Sequence, residues 1–168
     1  MTGLSVEGRC DDDTEVNGNS ASERICSDEV HKIVGCAFRV YNTLGFGFLE
    51  QVYQEALEVE LNETGIPFES QRRLPVYYHG KELTAYYKAD LVCFENVIVE
   101  LKAEKNLSPA DETQLIHYLK ATGIEAGILI NFGNRRKLEW KKLVYTDRRY
   151  LKNTKSLNIP SPLNNSSQ

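Results

Sequence analysis

Apolar positions follow a helical period in the first part of the chain and change to alternation and short continuous runs further on. Val30, Ile33, Val34, Ala37, Val40, Tyr41 and Leu44 form one stripe at 3.6-residue spacing. Ser27 suits the N-cap of that helix, Asp28 and Glu29 lie in the first turn where the dipole favours anions, and Gly45 supplies a stop. A second helix is expected from about Leu49 to Thr64, ending at Gly65, with Val52, Tyr53, Ala56, Leu57 and Leu61 on one face. The pattern then becomes β: Phe68–Arg73, Leu74–Tyr78, a turn at His79-Gly80, Leu83–Cys93, a turn at Glu95-Asn96, and Val97–Ala103. Ser108-Pro109-Ala110-Asp111 reads as a capping box with proline at the first helical position, opening a helix that ends at Gly123. Ala126–Asn131 is an apolar run of buried-strand type, and a basic element follows over about Lys137 to Tyr145.

Helices, then meandering strands, then a crossover helix and another strand predict an α+β (α/β) fold with a mixed sheet flanked by helices. The unpatterned acidic stretch 1–26 reads as a disordered tail, 27–153 as one domain, and the Ser/Asn/Pro-rich stretch 154–168 as a second disordered tail.

Composition narrows the class without naming a function. With 168 residues, 41% hydrophobic and 26% charged, the chain suits one soluble domain with a real core. No apolar run is long enough to span a bilayer, and the N-terminus lacks a secretory signal, so a cytoplasmic protein is expected (nuclear in a eukaryote), neither secreted nor membrane-bound. Cys10, Cys26, Cys36 and Cys93 make no CxxC pair, and Cys36 and Cys93 fall at apolar positions where a thiol acts as a small hydrophobe. The net charge of −4 is uneven: residues 1–29 carry eight acids against two arginines, while 135–155 carry nine basic side chains against two acids. That basic stretch is compatible with phosphate binding.

The charges that interrupt the strand pattern carry the candidate chemistry. Asp90, Glu100 and Lys102 lie in AYYKADLVCFENVIVELKA. Glu100 and Lys102 are two apart on a strand and share a face. Two carboxylates can hold a hard cation, and an ammonium beside them can orient a water or offset charge on a phosphate. Register decides whether Asp90 joins them. A two-residue Glu95-Asn96 loop would set Asp90 opposite Leu101 and turn it away. A three-residue loop, Phe94 to Asn96, would set it opposite Glu100, and Asn96 is then the expected left-handed residue. Glu50 and Tyr53, one helical turn apart, share a face, as do Gln114 and Tyr118. Core packing is the plainer reading of Tyr53, while Glu50 reads equally as a metal or water ligand and as a dipole-stabilised helix-start acid.

Gly47-Phe48-Leu49-Glu50-Gln51-Val52-Tyr53 fits the pattern GxxExxY, followed in order by ADLV, VELKA, QLIHYL and GILINFG. Over roughly residues 30 to 146 the chain resembles the GxxExxY protein family of the PD-(D/E)xK nuclease superfamily, the restriction-endonuclease-like proteins. The resemblance implies an αβββαβ core. It implies that Asp90 and Glu100 are metal ligands, with Glu50 as the helical acid that completes or supports the site, and that Lys102 is the lysine of the ExK half-motif. Gln114 and Tyr118 correspond to a Gln-x-x-x-Tyr pair that lines the site. Phe46 stands where the family's LGPG turn often has proline, which is expected to alter only the local turn.

The reading that follows is a Mg²⁺- or Mn²⁺-dependent nuclease acting on DNA, with RNA as the second alternative. Asp90, Glu100, Lys102 and Gln114 would do the chemistry, and Tyr53 and Tyr118 would support them. Arg72, Arg73, Arg135, Arg136, Lys141 and Lys142 are candidate contacts to backbone phosphates. A non-catalytic nucleic-acid- or protein-binding module on the same fold, and a metal-dependent enzyme on a small phosphorylated molecule, stay open. So does a homodimer.

Overall fold

A computed structural model describes residues 4–7 and 21–145, with side chains described from Asp28 onward. Three helices and six strands follow in the order β1 (Leu4–Glu7), α1 (Ala21–Leu44), α2 (Glu50–Glu63), β2 (Phe68–Tyr78), β3 (Lys81–Cys93), β4 (Val97–Lys102), α3 (Pro109–Thr122), β5 (Ala126–Asn131) and β6 (Glu139–Tyr145). All strands join one sheet in the spatial order β1-β6-β5-β4-β3-β2. β4 and β5 run parallel, with α3 as their crossover, and the other neighbours are antiparallel. From α2 to β5 the order is αβββαβ, as expected.

The layers follow from residue pattern. The α1 stripe, including Val30, Ile33, Ala37 and Val40, joins Tyr53, Leu57 and Leu61 of α2 over one face of the sheet, made by Leu91, Cys93, Val97, Val99, Leu101, Ile128 and Ile130. Leu115, Tyr118 and Leu119 of α3 cover the other face over Leu74, Ala89, Val92, Ile98, Leu129 and Leu143. α3 begins with the Ser108/Asp111 capping box and Pro109, and Gly123 at φ 73° closes it. Cys36 and Cys93 are buried free thiols in the first core, and burial pushes the Cys93 thiol up to about 12.

Several expected boundaries differ. α1 begins at Ala21, ahead of the Ser27 cap, and Leu4–Glu7 pairs with β6. Both fall inside the stretch 1–26 that reads as a disordered tail. Backbone pairing to a sheet edge needs no apolar pattern in the added strand, so composition alone missed it. Phe68–Tyr78 is one strand rather than two, its pairing with β3 passing through a register shift between Pro75 and Tyr77. Residues 146–168, which include the end of the expected domain and the whole second tail, lie outside the described residues.

The β3–β4 connection is the irregular one that the site requires. Cys93 faces Val97, Val92 faces Ile98 and Leu91 faces Val99, leaving Phe94–Asn96 as a three-residue loop. Continuing that register sets Asp90 opposite Glu100. The left-handed residues are Phe94 (φ 52°) and Glu95 (φ 64°), not Asn96. The Phe94 N–H, turned out of the hairpin, donates to Pro67 O at 2.9 Å.

Candidate active site

Asp90 sits where two strands change sides. Ala89 packs under α3, yet Leu91, two residues on, packs under α1 and α2. An ordinary strand keeps such residues on one face. The inversion coincides with Gln71 of β2, which faces Asp90 at φ 52° while Ser70↔Leu91 and Arg72↔Ala89 pair normally on either side. The register does not shift there, one residue facing one, so the left-handed Gln71 backbone twists the strand locally without adding a residue. Its amide donates to Asp90 Oδ1 at 3.3 Å and to Gln54 Oε1 of α2 at 2.8 Å. On the other side, Asp90 Oδ2 accepts the Leu101 backbone N–H at 2.8 Å.

Glu100 and Lys102 point under α3, where Gln114 ties them together. Gln114 Nε2 donates to Glu100 Oε1 at 3.1 Å and to the Tyr118 hydroxyl at 2.6 Å, and its Oε1 accepts from Lys102 Nζ at 3.2 Å. Lys102 Nζ also stands 4.0 Å from Glu100 and 3.9 Å from Asp111 Oδ1. The other oxygen of Asp111 caps α3 by accepting the Ser108 N–H and hydroxyl. A single carboxylate thus fixes both the start of α3 and the lysine of the site. Asp111 was legible only as a cap, although its i, i+3 spacing to Gln114 puts both on one helix face.

Glu50 opens α2 at an exposed position, and its carboxyl lies near enough to Asp90 and Lys102 to feel both charges. The GxxExxY residues each have a mechanical role here. Gly47 turns the α1–α2 connection at φ 104°. Tyr53 is fully buried, stacks on Phe132 with ring centroids 4.6 Å apart, and donates its hydroxyl to Gly45 O at 2.7 Å. That hydroxyl also accepts the Phe48 N–H at 3.2 Å. Tyr53 is therefore a core residue that latches the loop placing Glu50.

The electrostatics are those of crowded carboxylates. Burial, then the charge of Asp90, pushes Glu100 up to about 8. Burial raises Asp90 despite the Leu101 N–H, Gln71 and the lysines Lys102 and Lys88. Glu50 is raised by burial and then by Asp90. Burial also acts on Asp111, but its Ser108 hydrogen bonds and Lys102 outweigh it and hold that carboxyl below its usual range. Glu100 is 4% exposed, and its Oε2 is buried with no hydrogen-bond partner among the described residues. A buried carboxylate oxygen without a partner is costly unless the group stays protonated, as the raised Glu100 does without metal, or a cation takes it.

That orphaned oxygen, on a carboxyl that Asp90 and Glu50 both raise, fits a hard divalent cation. Among the described residues no group of three His, Cys, Asp or Glu side chains could hold a metal by itself.

The six expected phosphate contacts do not form one patch. Arg72 is 9% exposed and lies 3.4 Å from Glu69. Arg73 pairs with Glu82 at 2.8 Å and covers the Tyr86 ring, and Arg135 covers Phe46. Lys141 is paired with Glu112, Lys142 lies on β6, and Arg136 is exposed in the loop after β5. β2 and β6 are four strand spacings apart, about 19 Å, which separates Arg72 and Arg73 from Lys141 and Lys142. Lys88, which the sequence did not single out, is an exposed lysine whose charge has the least effect of those that lower Asp90.

A model of the PD-(D/E)XK nuclease superfamily matches residues 27–143, the stretch that holds every group of this cluster. The chain belongs to the PD-(D/E)XK nuclease superfamily. Members of this superfamily generally use divalent metals. Among solved structures the chain is similar to SSO0001, at 18% identity over 67% of this chain and 61% of that one, with a TM-score of 0.47. It is also similar to an alkaline exonuclease (LHK-Exo) from Laribacter hongkongensis, at 12% identity over 83% of this chain and 79% of that one, with a TM-score of 0.45. No curated protein matches the sequence. Among the described residues no helix is long and apolar enough to cross a membrane.

Proposed function

We propose that this PD-(D/E)XK protein is a divalent-metal-dependent phosphodiesterase that cuts DNA, with RNA as the alternative substrate. The observation that carries the reading is the buried, unpartnered Oε2 of Glu100 beside Asp90 and Glu50. Asp90 and Glu100 would hold Mg²⁺ or Mn²⁺, with Glu50 as a further acid. Such an ion, when bound, polarises a phosphoryl oxygen and lowers the pKa of a coordinated water.

The chain's own groups supply the rest. Lys102, held by Gln114 and Asp111, offers a positive charge where negative charge builds on the phosphate. Gln114 keeps that ammonium and the Glu100 carboxylate in a fixed relation, so neither reorganises as substrate arrives. Gln71 and the Leu101 N–H hold Asp90 in place. Lys88 adds positive charge near Asp90 for a backbone phosphate. The roles found for Gly47, Glu50 and Tyr53 support the narrower GxxExxY placement.

Incubating the purified protein with DNA and with RNA, with and without Mg²⁺ or Mn²⁺, tests the reading. Wild type cleaves only with metal, and Asp90→Ala and Lys102→Ala do not. Equal products from wild type and both variants would sink it. In parallel, metal raises the thermal midpoint of wild type but not of Asp90→Ala. Metal-independent binding of nucleic acid without cleavage would instead favour a non-catalytic module on this fold.

A further inference from the structure

The stripe of α3 that carries Gln114 continues outward as the wall of an open groove of about 660 Å³, lined by Tyr87, Ala110, Thr113, Gln114, His117 and Tyr118. Five of the six lie on one face of α3, at i, i+3, i+4, i+7 and i+8, and Tyr87 of β3 forms the opposite wall. The Tyr87 ring lies 5.1 Å from Tyr118, tilted by 40°, and 6.4 Å from the His117 ring, nearly parallel at 21°. Tyr118 is buried with its hydroxyl bonded to Gln114, whereas Tyr87 is 36% exposed and His117 is also exposed. Solvent-facing aromatic rings set almost parallel, with an amide, a hydroxyl and an imidazole around them and no carboxylate in the lining, suit a flat ligand with polar edges.

Continuity with the cluster narrows the ligand. Gln114 lines the groove, and the same amide holds both Glu100 and Lys102. An occupant of the groove is thus one side chain away from the groups that would act on a phosphate. A nucleotide has both parts: a flat base for the rings and a phosphate for Lys102. Inside a duplex, both faces of a base are covered by its neighbours, so only an unpaired base can offer a face to Tyr87.

We propose that the groove holds an unpaired nucleobase of the strand being cut, stacked on Tyr87 beside His117, so that the substrate is single-stranded or frayed nucleic acid. The proposal takes the nuclease reading as its premise for cleavage, but base stacking can be read without it.

The full chain is titrated, without metal, into a short single strand carrying a fluorescent adenine analogue, and its cleavage kinetics with Mn²⁺ are measured in parallel. Wild type and Tyr87→Phe quench the fluorophore; Tyr87→Leu and His117→Ala, checked for an unchanged thermal midpoint, lose the quenching. With Mn²⁺, Tyr87→Leu raises KM roughly 10-fold or more, and kcat stays near that of wild type. An abasic position in the strand weakens wild type by a similar factor and leaves Tyr87→Leu unaffected. Blunt duplex is cut more slowly than single strand. Cleavage by wild type that ignores both the abasic position and Tyr87→Leu overturns the groove and leaves the nuclease reading standing. Quenching that requires Tyr87 without any cleavage supports the groove and overturns the nuclease reading. Absence of both overturns both.

Discussion

The Leu101 backbone N–H is bonded to the Asp90 carboxylate at 2.8 Å. The β3–β4 pairing runs from Cys93↔Val97 to Leu91↔Val99, and beyond it a side chain of β3 takes a backbone donor of β4. Asp90 is anchored to the same strand that carries Glu100 and Lys102. Its position relative to them is therefore set by backbone geometry.

Asp90→Asn separates charge from this anchoring. Asparagine keeps an oxygen for the Leu101 N–H, and its neutral side chain relieves repulsion with Glu100 and Glu50. Stability is expected to stay within about 1 kcal/mol of wild type or to rise. Metal-dependent cleavage is expected to fall by roughly 100-fold or more, as when a transition-state electrostatic contact is lost. Thermal melting and a cleavage time course on the same preparation check both.

The raised pKa of Glu100 gives metal-free stability a definite slope with pH. The folded protein holds its proton up to about 8, while the unfolded chain releases it near 4.5. Between those values the folded state binds more protons than the unfolded state, so this group's contribution to stability falls as pH rises. Asp90 and Glu50, also raised, act in the same sense. Melting in chelator across that window should show a declining midpoint for wild type and a flatter one for Glu100→Gln. A midpoint that climbs steadily with pH in wild type contradicts the assignment.

Gly133 is the point where the chain after β5 crosses behind the end of β4. A Cβ built there would lie 2.4 Å from the Ala103 carbonyl carbon and from Glu104 O. Both are backbone atoms just beyond Lys102, so nothing flexible can yield. Gly133→Ala is expected to cost about 1–3 kcal/mol in urea denaturation, in the range of overpacked cores. Lower activity should accompany it at temperatures where the variant is still folded.

Tyr53→Phe keeps the stack on Phe132 and removes the hydroxyl that holds Gly45 O and the Phe48 N–H. A loss of about 1 kcal/mol is expected. Tyr53→Leu, which also removes the stack, should cost clearly more. If the loop matters to the site through Glu50, Tyr53→Phe also lowers activity in the folded protein, and Glu50→Gln combined with it adds little further loss.

Much of the fold is legible in local chemistry. The α1 stripe, the Ser108/Asp111 box and the apolar Ala126–Asn131 run each specify an element through neighbours a few residues away. The Glu100–Lys102 pair is legible for the same reason, because strand alternation puts them on one face. Gln71 is not. It is a polar residue between Ser70 and Arg72 in a strand pattern, and nothing local demands a positive φ there. That conformation follows from its place opposite Asp90, where two strands exchange faces. Nor could counting charges along 135–155 show Glu112 on α3, which pairs with Lys141 across the fold.

By itself the sequence marked most of the elements from the α1 stripe onward and put Glu100 and Lys102 on one strand face. These depend on periodicity, capping and spacing, which act over one or two turns of chain. The tertiary structure decided where Asp90 lies relative to Glu100, what holds Lys102, and that Glu100 Oε2 is buried without a hydrogen-bond partner among the described residues. Those outcomes depend on strand register, on a face inversion at Gln71, and on α3 laying Gln114 and Asp111 over β4. Each requires contacts between residues far apart in the chain, so only the assembled sheet could set them.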